Sequence, residues 1–225
     1  MRVLFDVDTQ NDFMHKQGSL YIPGSEAIKP NITRLANLYL RYQGIVLCGS
    51  VDSHTENDKE FEQFPRHCIV GTWGWYKIPE SIPSKVGYSV RPVYIPCEPL
   101  SQEELEESVE SAMKVFKPEP YLEPYLQEVV NPIYFKKQSI DVFVNPNTER
   151  ALSLLHPNEV VVYGVATEYC VRAAVLGMLK RGYKVLVVED AIAAVNEEAG
   201  KQALEEMVRN GAILTTAKEI VGWLR

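Results

Sequence analysis

The chain is short of basic charge, has few cysteines and lacks any long apolar run. Lys and Arg number 23 against 30 for Asp and Glu, a formal net charge of −7. Phosphate backbones and anionic membrane surfaces are gripped by basic patches, so both partners are disfavoured. No apolar stretch approaches the ~18–20 residues of a spanning helix. The opening Met1-Arg2-Val3-Leu4-Phe5-Asp6 meets an acid at its sixth residue, before a secretory apolar core could form. The expectation is a cytoplasmic protein. Its four cysteines (Cys48, Cys68, Cys97, Cys170) show no C-x-x-C spacing. In a reducing compartment they default to free thiols, one of which could serve chemistry.

What is present is ordinary globular material: 225 residues, 46% hydrophobic and 24% charged. Runs of apolar residues alternate with segments of helical period. Strands are expected at Val3 to Val7, Ile45 to Val51, Pro132 to Phe135, Glu159 to Tyr163, Lys184 to Val188 and Ala212 to Leu214. Helices are expected at about 27–42, 168–180 and 196–209, with a last one ending near Trp223. Fully apolar strands separated by amphipathic helices indicate an α/β fold: a doubly wound, mostly parallel sheet with helices on both faces. Residues 84–131, with Pro92, Pro96, Pro99, Pro118, Pro120 and Pro124, read as an insertion in a single domain. It is expected to hold a helix near 101–115, opened by a Ser101–Glu104 capping box, and a short one near 121–129. An acidic solvated element is the plain reading; a lid or a homo-oligomer contact is the alternative.

In such sheets reactive groups gather at the carboxyl ends of strands, and four places qualify. Asp8 closes the first strand within Asp8-Thr9-Gln10-Asn11-Asp12-Phe13, as a functional acid or a loop former. Asp52-Ser53-His54 follows the second strand, its first and third residues pointing the same way. Glu60 and His67 come soon after, and two His, one Asp and one Glu suit a borderline divalent ion. A surface D-x-H pair is the alternative. Lys136 or Lys137 ends a middle strand, and only one of the two can face the cleft. Cys170 follows the small-residue turn Gly164-Val165-Ala166-Thr167, in the expected first helical turn. There the helix dipole would favour thiolate; a core cysteine is the alternative.

Taken together, D-x-Q-N-D-F, D-x-H, F-P-x-H, a central Lys and G-V-A-T-x-x-C-V resemble the isochorismatase-like cysteine hydrolases, and the metal set resembles that of nicotinamidases. The resemblance covers nearly the whole chain outside the insertion. It implies a catalytic triad of Asp8, Lys137 and Cys170, with Lys137 preferred because Phe143 stands six residues on, as in the family. It implies metal ligands Asp52, His54 and His67, with Glu60 in the fourth place (Glu62 a weaker substitute) and Zn²⁺, Mn²⁺ or Fe²⁺ as the ion. It implies a non-proline cis peptide at Val165-Ala166, with the Ala166 and Cys170 N–H groups as oxyanion donors. Phe13, Phe64 and Tyr169 would contact a small-molecule amide, with nicotinamide hydrolysed to nicotinate and ammonia. Related hydrolases acting on isochorismate, ureidoacrylate, carbamoylsarcosine or maleamate share the triad but mostly lack the metal set. A non-catalytic ligand-binding protein of the same fold is the alternative from another class.

Overall fold

The computed structural model describes residues 1–40, 42, 44–85, 88–114 and 131–222. Seven strands make one sheet: β1 (Arg2–Val7), β2 (Ile45–Asp52), β5 (Val93–Ile95), β6 (Ile133–Lys137), β7 (Glu159–Val165), β8 (Val185–Ala193) and β9 (Ile213–Thr215). Their order is β5-β6-β2-β1-β7-β8-β9, and every neighbouring pair is parallel. The short β3 (Ser84–Lys85) and β4 (Tyr88–Ser89) form a separate antiparallel pair. The helices among the described residues are α1 (Asn11–Met14), α2 (Ser25–Leu38), α3 (Gln102–Met113), α4 (Thr148–Leu155), α5 (Arg172–Lys180), α6 (Glu197–Arg209) and α7 (Ala217–Gly222).

Strand alternation divides the core between the two faces. Val3, Phe5, Val160 and Val162 pack with Leu105 and Val109 of α3, Ala151 and Leu155 of α4, Val175 of α5 and Met207 of α6. Leu4 and Val161 face the other way, onto Ile32 and Leu35 of α2 and Ile220 of α7. Each such apolar side chain contributes ~1.5–3 kcal/mol on burial. The doubly wound reading therefore holds, and the sheet is parallel throughout.

Two local boundaries differ from the sequence reading. The helix expected at about 27–42 is α2, which ends at Leu38. Within 84–131, β5 joins the sheet edge beside β6 and α3 covers it. Within the expected insertion, β5 and α3 thus build part of the sheet and its cover. Ser101 caps α3 through the expected box with Glu104. The helix expected near 121–129 lies outside the described residues.

The chain leaves β1 toward β2 on one side and leaves β7 toward β8 on the other. The crevice between the carboxyl ends of β1 and β7 is therefore the switch point at which α/β sheets bind ligands. Gly164 lets the two strand ends approach, because a Cβ there would lie 2.1 Å from the Val7 carbonyl oxygen.

Candidate active site

The loop after β1 builds one wall of this crevice, and each of its polar residues has a separate task. Asp8 adopts a left-handed φ of 45°. Its Oδ1 accepts a 2.8 Å hydrogen bond from Ser50 Oγ. Gln10 clamps the end of β2: its Nε2 donates to the Asp52 carbonyl (2.9 Å) and its Oε1 accepts from the Asp52 N–H (2.7 Å). Asp12 accepts from the Cys68 N–H (2.7 Å) and the Ser19 N–H (3.0 Å), joining two further loops. Phe13 reaches the cavity.

Lys137 is buried, whereas Lys136 is half-buried and lies over the Trp75 and Tyr94 rings. Alternation along β6 thus sends Lys137 into the crevice. Its Nζ stands 2.9 Å from Asp8 Oδ2, 3.5 Å from Cys170 Sγ, and in an ion pair with Asp52 Oδ1. Burial works against the ammonium, but Asp52 and Asp8 outweigh it and hold the Lys137 pKa well above the ordinary lysine value. Burial would likewise raise the Asp52 carboxyl; Lys137, His54 and His67 overcome this and keep it well below the carboxylate range.

Cys170 lies in a single π-helical turn, Thr167–Val171, that precedes α5. Such turns are frequent at functional sites. The α-helical first turn expected here is replaced by this wider one. The surroundings of the sulfur work against the expected preference for thiolate. Burial pushes the Cys170 thiol well up, Lys137 pulls it back, and Asp8 and Asp52 add to the rise. The peptide bond Val165-Ala166 is cis, as the resemblance implied.

On the far side of Asp52 stand the groups suited to a metal. One donor atom each from Asp52, His54, Glu60 and His67 falls within 4.8 Å of the others. His67 Nε2 is 3.5 Å and His54 Nε2 3.6 Å from Asp52 Oδ2, and His54 Nε2 is 3.9 Å from Glu60 Oε2. Bonds of 2.0–2.1 Å to one tetrahedral ion would separate donors by about 3.4 Å, close to these spacings. The outer nitrogens face oxygen atoms, as those of metal-binding imidazoles do. His67 Nδ1 donates to the Pro65 carbonyl at 2.7 Å, and His54 Nδ1 lies 3.0 Å from Asp58 Oδ2. Neither ring nitrogen of the buried His54 makes a hydrogen bond. Burial disfavours a charged His54, yet Asp52, Asp58 and Glu60 raise it to about 9. Burial and Asp52 raise Glu60. The donor set of two imidazoles and two carboxylates fits a divalent cation.

Both groups open on one cavity of about 200 Å³. Asp52, Glu60, His67, Ala166 and Cys170 are among the residues that line it. Phe13, Phe64 and Tyr169, the expected substrate contacts, line it too, with Phe64 and Tyr169 edge to face at 6.3 Å. An apolar cavity of about 150 Å³ accommodates benzene, so this one suits a single ring carrying a small substituent. Sequence reasoning missed Leu20, Ile22, Ile140 and Val195, which complete the walls from separate loops. It also missed the supports Gln10, Ser50 and Asp58. Asp58 had a signal, an acid four residues after His54; the others are ordinary residue types whose role only the fold reveals.

The isochorismatase domain model matches residues 88–219. The nicotinamidase of Saccharomyces cerevisiae is 23% identical, the alignment covering 88% of this chain and 90% of that protein. The nicotinamidase of Escherichia coli K12 is 43% identical over 61 residues, 26% of this chain and 29% of the other. Among solved structures, the Pyrococcus horikoshii pyrazinamidase in complex with zinc is 26% identical with a TM-score of 0.66, covering 96% of this chain and 98% of that one. The match spans 28% of the length of the Salmo salar isochorismatase domain-containing protein 1 and 48% of a Dictyostelium discoideum isochorismatase family protein. With the isochorismatase domain model matching residues 88–219, more than half of this chain, the chain belongs to the isochorismatase family.

Proposed function

We propose that the protein is a metal-containing cysteine amidohydrolase whose substrate is nicotinamide, released as nicotinate and ammonia. The observation that carries this reading is the placement of the Lys137 ammonium, which touches Asp8, Cys170 and Asp52 together. It joins an acid–thiol pair to a metal-type donor cluster across one small cavity.

In this reading Asp8 takes the Cys170 proton as the sulfur attacks the amide carbonyl. The developing oxyanion is held by the Ala166 and Cys170 N–H groups; one such donor is typically worth about 2.7–4 kcal/mol. Asp8 then passes the proton to the departing nitrogen, the C–N bond breaks and ammonia leaves a thioester on Cys170. A water molecule loses its proton to Asp8 and attacks the thioester. The C–S bond breaks, the acid product forms and the proton returns to sulfur. Lys137 fixes the Asp8 carboxylate and offsets its charge beside the forming thiolate. Asp52, His54, Glu60 and His67 would hold the divalent ion, zinc as the first choice, which supplies a Lewis-acidic point that orients the pyridine nitrogen. Phe13, Phe64 and Tyr169 enclose the ring. Such a reaction would serve NAD salvage, and a cytoplasmic location accords with free thiols.

Ammonia release by the metal-loaded protein, with nicotinamide compared against aliphatic and carboxylate-bearing amides, tests this. Nicotinamide is expected to have the highest kcat/KM. A carboxylate-bearing amide hydrolysed faster would sink the substrate assignment, and no release from any amide would sink the activity.

A further inference from the structure

A second buried ion pair lies behind the catalytic loop and takes no part in the chemistry above. In register across four strands stand Tyr134, Gly49, Asp6 and Tyr163. Gly49 leaves a slot in this row, since a Cβ there would lie 2.1 Å from the Asp6 carbonyl oxygen and 3.1 Å from the Tyr134 ring. Nearby, Lys77 lays its Nζ 4.8 Å over the Tyr134 ring and 3.2 Å from Asp6 Oδ1. Both charges are buried. Burying a charge is costly even when it is paired, so this pair is weak evidence for stability alone.

What the pair holds is Thr9. The Thr9 hydroxyl donates to the Asp6 carboxylate, at 2.8 and 2.9 Å from its two oxygens, and accepts from Lys77 Nζ at 3.3 Å. Its carbonyl accepts from the Ile78 N–H at 2.9 Å. Thr9 is therefore tied down on both sides while its neighbours on the chain, Asp8 and Gln10, carry the site. Asp8 needs such restraint, because its left-handed backbone is disfavoured for a residue with a side chain. Gln10 passes the restraint on through its two hydrogen bonds to the Asp52 backbone. The strap that bears Lys77 is laced to the same loop, with Asn11 N–H donating to the Tyr76 carbonyl at 2.9 Å and Gln10 Nε2 to the Trp75 carbonyl at 2.8 Å.

We propose that Lys77 and Asp6, acting through the Thr9 hydroxyl, are positioning residues that hold Asp8 against Lys137 and Asp52 at the cavity wall. The role rests on the hydrolase reading above, and neither residue touches the reacting atoms.

Thr9→Val removes the hydroxyl while keeping the shape, Thr9→Ser keeps the hydroxyl, and Asp6→Asn/Lys77→Met replaces the pair without stranding a charge. Each is compared with the wild-type metal-loaded protein by steady-state ammonia release and by hydrogen–deuterium exchange. Thr9→Val and the double variant are expected to lose tenfold or more in kcat with KM within twofold. Thr9→Ser is expected to stay within threefold of wild type. Exchange across residues 8–13 should quicken in the two impaired variants, while peptides from β7 and α6 stay unchanged. A Thr9→Val protein within twofold of wild-type kcat, a Thr9→Ser protein as impaired as Thr9→Val, or unchanged loop exchange would overturn the proposal. A wild-type protein that hydrolyses no amide would sink the activity instead, and exchange would then decide the anchor by itself.

Discussion

Asp52 divides its carboxylate between two kinds of partner: Oδ1 pairs with Lys137, while Oδ2 faces the Nε2 atoms of His54 and His67. Metal cluster and triad therefore share one side chain. Lys137 in turn ion-pairs with both Asp52 and Asp8, all three buried. Lys137→Met would leave two buried carboxylates without their cation, a change of the kind that costs about 3–5 kcal/mol. The expected outcome is loss of turnover together with a fall in stability of that order, read by denaturant unfolding. Full stability at neutral pH would show that another group balances the two acids.

The outer partner of His54 supports a second expectation. Asp58 faces Nδ1 and so leaves Nε2 free to ligate. Asp58→Ala should weaken metal binding by about 10–100-fold, the usual scale for such supporting groups. At saturating metal the variant should regain most of its turnover, because Asp8, Lys137 and Cys170 are untouched. Competition with a metal-sensitive chelating dye gives the affinity directly. An unaltered affinity would remove Asp58 from the metal site.

Cys170→Ala isolates the nucleophile. The residue sits against the core in a π-helical turn, and losing one sulfur there should leave the fold standing. Turnover should drop by a factor of at least about 10³, since residues that act as one unit fail together. Asp8→Asn should cost a similar amount, and the double variant little more. Appreciable ammonia release from Cys170→Ala would mean that water is attacked directly and no thioester forms.

The sequence carried the large-scale order well because its strands are nearly continuous apolar runs and its helices amphipathic. Both follow from a sheet covered on two faces. The site residues were legible where chemistry restricts residue type: a lone Cys after a small-residue turn, an acid ending β1, a D-x-H after β2. Three things were hidden. The protonation of Cys170 depends on how deeply it is buried and on Asp8 and Asp52 beside it, neither of which a helix-terminus argument contains. The place of β5 in the sheet is set by pairing with a strand about 40 residues away. Lys77 reaches Asp6 from 71 residues along the chain, and nothing near either residue in sequence announces the other.

The base of the sheet offers a prediction about pH that is separate from catalysis. Glu159 opens β7 and ion-pairs with Arg2 of β1 and with Lys184, 3.0 Å away, just before β8. Burial would raise this carboxyl, but Lys184 and Arg2 overcome that and hold it below the usual glutamate value. A carboxyl lowered by folding stabilises the protein above its unfolded pKa of ~4.3, and that contribution fades as pH falls through the lower folded value. Glu159→Gln should therefore melt about 2–4 °C below wild type at pH 7, as expected for a loss near 1 kcal/mol in a chain of this size. The gap should narrow steadily below pH 4.5, because acid removes from the wild type the same charge that the substitution removes. Paired unfolding curves from pH 7 to pH 3 measure it. A gap that stayed constant over this range would assign the effect of Glu159 to packing and hydrogen bonding rather than to its charge.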